Sequence, residues 1–283
     1  MVKTLSYKLF KKIKGQLSVH FIEEADSLAF VIVEHFSGFN KTDIITDKPF
    51  STGPQFGSQI KTIVERLILH EPIQYILGEA NFYERNFTVN KYTLIPRQET
   101  EELVHLILRS VKNKKDLSIL DIGTGSGCIP ITLKLEAPMH HFEAIDISQG
   151  ALEVARQNAK KLNADVKFGQ LDILKTKLSK GYDIIISNPP YVLESEKALM
   201  QDNVLDNEPH QALFVANNTP LLFYNRITKL ACKHLKKNGL LYFEINEKFG
   251  NKVVELMHSH SFTEVVLHQD LNGKDRFVSG QLI

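Results

Sequence analysis

Only two cysteines, Cys128 and Cys232, occur in the 283 residues, and their spacing suits no metal site. They are too few for a disulfide framework, fit a reducing cytoplasm and read as small apolar core residues. Long apolar runs are missing as well. Stretches such as Leu28 to Val33 fall far short of the ~18 residues needed to cross a bilayer. The opening MVKTLSYKLFKKIKG has no long apolar run and no cleavage-like end, which predicts neither a secretory signal nor an anchor. Nor is one sign of charge in excess: 34 Lys and Arg against 33 Asp and Glu leave a net charge of +1, with no global pull toward a polyanion or an anionic membrane. No repeat or biased tract is visible, and the 11 histidines form no H-E-x-x-H arrangement, so no metal is expected. What remains is an ordinary globular composition, 43% hydrophobic and 24% charged, in a chain long enough for about two domains.

The first 70 residues read as helical. Apolar residues recur at helical spacing in Ile22, Ala25, Ala29, Ile32, Val33 and Phe36, and again in Ile60, Ile63, Val64 and Leu67, with Gly38 as a stop between them. From Pro72 to Pro96 the pattern shifts to short alternating pieces, which predicts a β-hairpin turning at Asn90-Lys91. A helix is expected over Glu99 to Lys112, with Leu103, Val104, Ile107 and Leu108 inward. Short apolar runs then alternate with helical ones: Ser118–Ile122, His141–Asp146, Val166–Phe168, Tyr182–Ser187 and Leu240–Ile245. That alternation predicts an α/β fold, a mostly parallel sheet covered on both faces. The helix before the last run is expected to start at Thr219-Pro220 and to end at Asn238-Gly239. Thr263–His268 and Arg276–Leu282, joined through Asn272-Gly273, would close the sheet with an antiparallel strand. The expected division is a helical domain over 1–71, a β-hairpin linker over 72–96 and an α/β domain over 97–283. Residues 1–96 carry 11 basic and 10 acidic side chains and the remainder 23 of each, so neither part is a polyelectrolyte. Lys11, Lys12 and Lys14 read as a solvated helix face.

The first strand of the α/β part runs into Asp121-Ile122-Gly123-Thr124-Gly125-Ser126-Gly127, followed by a helix-like run. Glycines permit positive φ and a close backbone approach, and a helix N-terminus offers free N–H groups. Asp146 ends the next strand 19 positions after Gly127, where a ribose diol is normally held. A dinucleotide fingerprint would need a third glycine at Cys128, and the spacing here is G-x-G-x-G instead. Asp121 adds a carboxylate that disfavours a pyrophosphate and favours a cofactor with a cationic amino-acid end, which points to S-adenosylmethionine. Asp172, after the third strand, is placed to bond an adenine amino group.

Ser187-Asn188-Pro189-Pro190-Tyr191 directly follows an apolar strand, and strand carboxyl ends face the ligand crevice of such sheets. Pro189 and Pro190 fix the backbone direction. The Asn188 side-chain oxygen and the Pro189 carbonyl can each accept one hydrogen of a substrate NH2 group, turning its lone pair toward a sulfonium methyl. Tyr191 offers a flat wall for a planar amide or base.

The chain resembles the class I S-adenosylmethionine-dependent methyltransferases that modify the glutamine side-chain amide of peptide chain release factors. The resemblance spans nearly the whole sequence. Besides the glycine loop and Asn188–Tyr191, it rests on Pro72-Ile73-Gln74-Tyr75-Ile76-Leu77-Gly78, on Ile95-Pro96-Arg97-Gln98-Glu99-Thr100-Glu101, on Glu208-Pro209 with Ala212-Leu213, and on Asp270 to Arg276. It implies a Rossmann-like sheet with a small helical docking domain, and a release-factor Gly-Gly-Gln loop gripped by Asn188 to Tyr191. It also implies release factors as partners, with no metal, membrane or direct nucleic-acid binding, in the cytoplasm. Two departures stand out. Asn218-Thr219-Pro220-Leu221 replaces an Asp-Gly-Leu frequent in the family, and Glu84 stands where a glycine is frequent. The same grip would also suit amino methylation of a nucleic-acid base, which calls for a basic groove and salt-dependent binding. A dinucleotide-binding or catalytically silent module is the third reading.

Overall fold

In the first part of the chain, the apolar residues three and four apart make each helix one-sided, and those sides close on one another. Helices Ser6–Leu17, Ala25–Ser37 and Phe56–Ile68 bury Ile13, Leu17, Ala29, Ile32, Val33, Val64 and Leu67 together. Gly38 ends the second helix in the left-handed conformation, φ 69°, and its N–H reaches the Glu34 carbonyl at 2.8 Å. The computed structural model describes residues 2–283. It adds a short antiparallel pair, Val2–Leu5 with Pro49–Thr52, that helical periodicity does not announce. One compact unit holds the chain up to Gly78 together with a short later helix, Asp202–Asn207, where Asn207 Nδ2 donates to the His70 carbonyl at 3.2 Å.

The second unit, Glu79–Gln201 with Glu208–Ile283, contains a seven-stranded sheet. Its strands are β1 (Ser118–Ile122), β2 (His141–Asp146), β3 (Val166–Gln170), β4 (Tyr182–Ser187), β5 (Leu235–Glu244), β6 (Phe262–Gln269) and β7 (Asp275–Leu282). The spatial order is β3-β2-β1-β4-β5-β7-β6. The first five run parallel, and β7 lies antiparallel between β5 and β6. Successive side chains of a strand point to opposite faces, so Ile184 and Ile186 join Leu103, Val104, Ile107 and Ile131 in one core. Ile185 joins Tyr224, Ile227, Leu241, Phe243 and Val253 in the other. Helices Gln98–Val111 and Cys128–Glu136 cover the first face, Leu222–His234 and Gly250–His258 the second. The strand order reverses at β1, with β2 on one side and β4 on the other, so the crevice opens between the carboxyl ends of β1 and β4.

Three local expectations need correction. The hairpin pairs Glu79–Phe82 with Arg85–Thr88 and turns at Tyr83-Glu84, not at Asn90-Lys91. Both turn residues are left-handed, φ 50° and 60°, as a two-residue type I′ turn requires. Asn90 instead makes a local side-chain turn, its Oδ1 accepting the Tyr92 N–H at 3.0 Å. Helix Leu222–His234 starts after Thr219-Pro220, which form a preceding turn closed by the Leu222 N–H on the Thr219 carbonyl at 3.1 Å. Asn238-Gly239 is not its exit. The pair lies inside β5, where the register shifts between Leu235 and Leu240 and Asn238 takes φ 61°.

Candidate active site

All three loop glycines, Gly123, Gly125 and Gly127, have positive φ (77°, 55° and 79°). At Gly127 space forbids a side chain too, since a Cβ there would lie 2.9 Å from Ile131 Cδ1 and 3.1 Å from Ala155 Cβ. Gly127 is the N-cap of helix Cys128–Glu136. The loop is tied to the end of β2. The Gly123 and Thr124 N–H groups reach the Ile145 carbonyl at 2.9 and 3.1 Å, and Asp146 takes the Gly125 N–H on Oδ2 and the Ser148 N–H on Oδ1, each at 2.9 Å. Burial raises the Asp146 pKa, and these N–H groups oppose the rise.

A cavity of about 420 Å³ opens over this loop, within the usual range for small-molecule sites. Its wall includes Gly123, Thr124, Gly125, Ser126, Asp146, Asp172, Asn188, Pro189 and Pro190. Asp121, Gly127 and Tyr191 do not line it. Asp121 is 1% exposed, and burial pushes its pKa up to about 7, with the nearby Asp146 charge adding to the rise. Both Asp121 carboxylate oxygens, Thr124 Oγ1 and Ser126 Oγ are buried without a hydrogen-bond partner. Such orphaned polar atoms around one loop mark a place for a polar ligand. Burial would raise the Asp172 pKa, but its pairing with Lys175 and the Leu174 N–H bring it below the ordinary value. Tyr92 closes over the start of helix Gln149–Lys161, where a Cβ on Gly150 would lie 2.7 Å from the ring.

Asn188 leaves β4 opposite the loop, and its carbonyl is 3.9 Å from where a Gly123 Cβ would sit. Ser187 Oγ fastens the two strand ends by donating to the Ile122 carbonyl at 2.8 Å. The Asn188 Nδ2 donates to Thr100 Oγ1 at 3.5 Å, and Thr100 Oγ1 donates to Glu244 Oε2 at 2.7 Å. Tyr191 turns inward rather than walling the cavity. Its hydroxyl donates to Glu244 Oε1 at 3.2 Å, and its pKa is raised by burial and then by the Glu244 charge. On the facing lip, buried Glu208 accepts the Ile95 N–H at 3.1 Å and pairs with Arg97. The only sequence signal for Glu244 is one acid closing an apolar strand, LLYFE.

No group of His, Cys, Asp or Glu among the described residues could hold a metal ion, and no helix among them is long and apolar enough to cross a membrane. Residues 8–78 match the family described as PrmC N-terminal domain, and residues 97–214 the family described as Methyltransferase small domain. The release factor glutamine methyltransferase of Flavobacterium psychrophilum is 44% identical over 260 residues, covering 90% of this chain and 91% of that protein. That of Bacteroides thetaiotaomicron is 42% identical, covering 91% and 92%. Among solved structures, a methyltransferase from Pyrococcus furiosus superposes with a TM-score of 0.53 at 15% identity, over 77% of this chain and 96% of that one, a likeness of fold. With relatives this similar along nearly the full length and both domains matched, the chain belongs to the release factor glutamine methyltransferase family.

Proposed function

We propose that this protein transfers a methyl group from S-adenosylmethionine to the side-chain amide nitrogen of the glutamine in the Gly-Gly-Gln motif of peptide chain release factors. The observation that carries this reading is the placement of Asn188 and Pro189 on the wall of the cavity that the glycine loop also lines. The orphaned polar atoms of Asp121, Thr124 and Ser126 fit a cofactor with a charged amino-acid end, and a dinucleotide would bring phosphate against Asp121. In this reading Asp121 acts on the cationic end by its charge from behind the wall, the loop Gly123 to Gly127 lies against the cofactor with the Thr124 and Ser126 hydroxyls as its polar contacts, Asp146 takes the ribose hydroxyls and Asp172 the adenine amino group. When bound there, the cofactor supplies an electrophilic methyl on a sulfonium.

The chain's own work is positional. Asn188 Oδ1 and the Pro189 carbonyl accept the two hydrogens of the substrate amide and turn its nitrogen lone pair toward the cofactor side. Pro189 and Pro190 hold the carbonyl in place without competing N–H groups. Tyr191 acts from behind, through Glu244. The helical domain (1–71), the linker (72–96) and the α/β domain (97–283) divide the work into docking, connection and chemistry, on a cytoplasmic substrate. Labelled methyl donor should mark a release factor, should not mark the same factor with its Gly-Gly-Gln glutamine replaced, and should not mark bulk nucleic acid. Labelling of nucleic acid alone would transfer the grip to base methylation.

A further inference from the structure

An asparagine amide has a donating end and an accepting end, and a grip on an NH2 group needs the accepting end outward. Nothing in the Asn-Pro-Pro segment itself selects that end. We propose that Glu244 and Thr100 are positioning residues that fix the orientation of the Asn188 amide, and so make the site selective for an NH2 donor over a carboxylate or carbonyl acceptor. This rests on the reading that Asn188 grips the substrate amide.

Glu244 is 1% exposed and Thr100 3%, so neither can turn to water. Two hydroxyls point at the Glu244 carboxylate, Thr100 Oγ1 at 2.7 Å and the Tyr191 hydroxyl at 3.2 Å. Each hydroxyl donates to its own carboxyl oxygen, so the single Thr100 proton is committed to Glu244. With its proton spent, Thr100 Oγ1 keeps only lone pairs for Asn188. The amide must therefore present Nδ2 to Thr100, at 3.5 Å, and Oδ1 away from it. Oδ1 and the Pro189 carbonyl then form a pair of acceptors. They match the two hydrogens of a glutamine amide and repel the oxygens of a glutamate. The chain of bonds runs from β5 through the first helical turn of Gln98–Val111 to the end of β4, three elements distant in sequence and fixed by the sheet.

The test measures kcat and KM on a release factor, cofactor affinity by calorimetry and melting temperature for wild type, Thr100→Val, Thr100→Ser, Glu244→Gln and Asn188→Ala. Valine keeps the shape of threonine and removes the hydroxyl, so kcat should fall about tenfold or more, with cofactor affinity and melting temperature little changed. Serine restores the hydroxyl and should restore kcat. Glu244→Gln places an amide where only acceptors belong, and should lower kcat without deepening the defect of Thr100→Val in the double variant. If Glu244→Gln does not fold, the valine and serine pair decides alone. Wild-type kcat in Thr100→Val, with Asn188→Ala inactive, overturns the positioning proposal and leaves the grip standing. Near wild-type turnover by Asn188→Ala removes the grip itself, and this proposal with it.

Discussion

The glycine loop after β1 and the Asn-Pro-Pro segment after β4 meet the same cavity from neighbouring strands, on opposite backbone chemistry. In the loop every second residue is a left-handed glycine, and the chain turns so tightly that the Gly123, Thr124, Gly125 and Gly127 N–H groups are taken up by the Ile145 carbonyl, Asp146 and the Thr124 carbonyl, while the Thr124 and Ser126 hydroxyls stay without a partner. In the segment after β4, two prolines remove freedom and N–H groups together, leaving carbonyls and one side chain. One side of the site thus offers hydroxyl groups on a backbone already bonded to itself, and the other offers acceptors. That division suits a ligand with hydroxyls and a charged end on one side and a substrate with an NH2 group on the other.

The two sides of the site part most clearly at Asn188. Asn188→Ala removes an acceptor and leaves the loop intact, so turnover should fall on the order of 100-fold or more, while calorimetric cofactor affinity stays near wild type. Parallel loss of stability and cofactor binding would make the segment a structural turn only. On the loop side, Asp146→Ala should show the reverse split. It removes the anchor of the Gly125 and Ser148 N–H groups, and cofactor binding should weaken by roughly 1.5–3 kcal/mol. Affinity equal to wild type would free Asp146 from the cofactor side.

Asp121 sets the loop side apart through its response to pH. Its folded pKa of about 7 lies above the ordinary 3.8. The folded state therefore holds the proton more tightly, and the stability this contributes is complete below pH 3.8 and lost as pH rises through about 7. Chemical denaturation of the ligand-free protein at pH 5 and pH 8 should show wild type losing roughly 2 kcal/mol more than Asp121→Asn across that interval. Equal losses would mean that Asp121 does not titrate there. The smallest effect concerns the hairpin turn, left-handed like the loop but without glycine. At Glu84 (φ 60°), glycine removes the strain at the expense of unfolded-state entropy, so Glu84→Gly should stabilise by roughly 0.5–1 kcal/mol with turnover unchanged.

The sheet and the loop were legible because their signals are local. Short apolar runs, buried on both faces, announce β1, β2 and β4, and glycine spacing announces the loop. What escaped was set by distant partners or by weak local pattern. Glu244 and Thr100 are 144 positions apart, and neither carries a sign that they bond. Tyr191 was expected to wall the cavity, but the Glu244 carboxylate gives its hydroxyl a buried acceptor and draws the ring inward. The hairpin turn hid because Tyr83-Glu84 are not turn-forming types, whereas Asn90 is one and used its side chain locally. Helix Asp202–Asn207 has no buried residue, so no apolar period could assign it to the helical unit.

Asp146 clasps the glycine loop from the end of β2, through its bonds to the Gly125 and Ser148 N–H groups. A binding surface already folded surrenders little chain entropy at the moment of association, and more of the contact energy is left as affinity. The calorimetric trace of that state is a heat-capacity change proportional to the apolar surface covered, without the larger signature of a segment that folds on binding. Loosening the clasp would slow and weaken binding, because the protein would then have to build its site each time it used it.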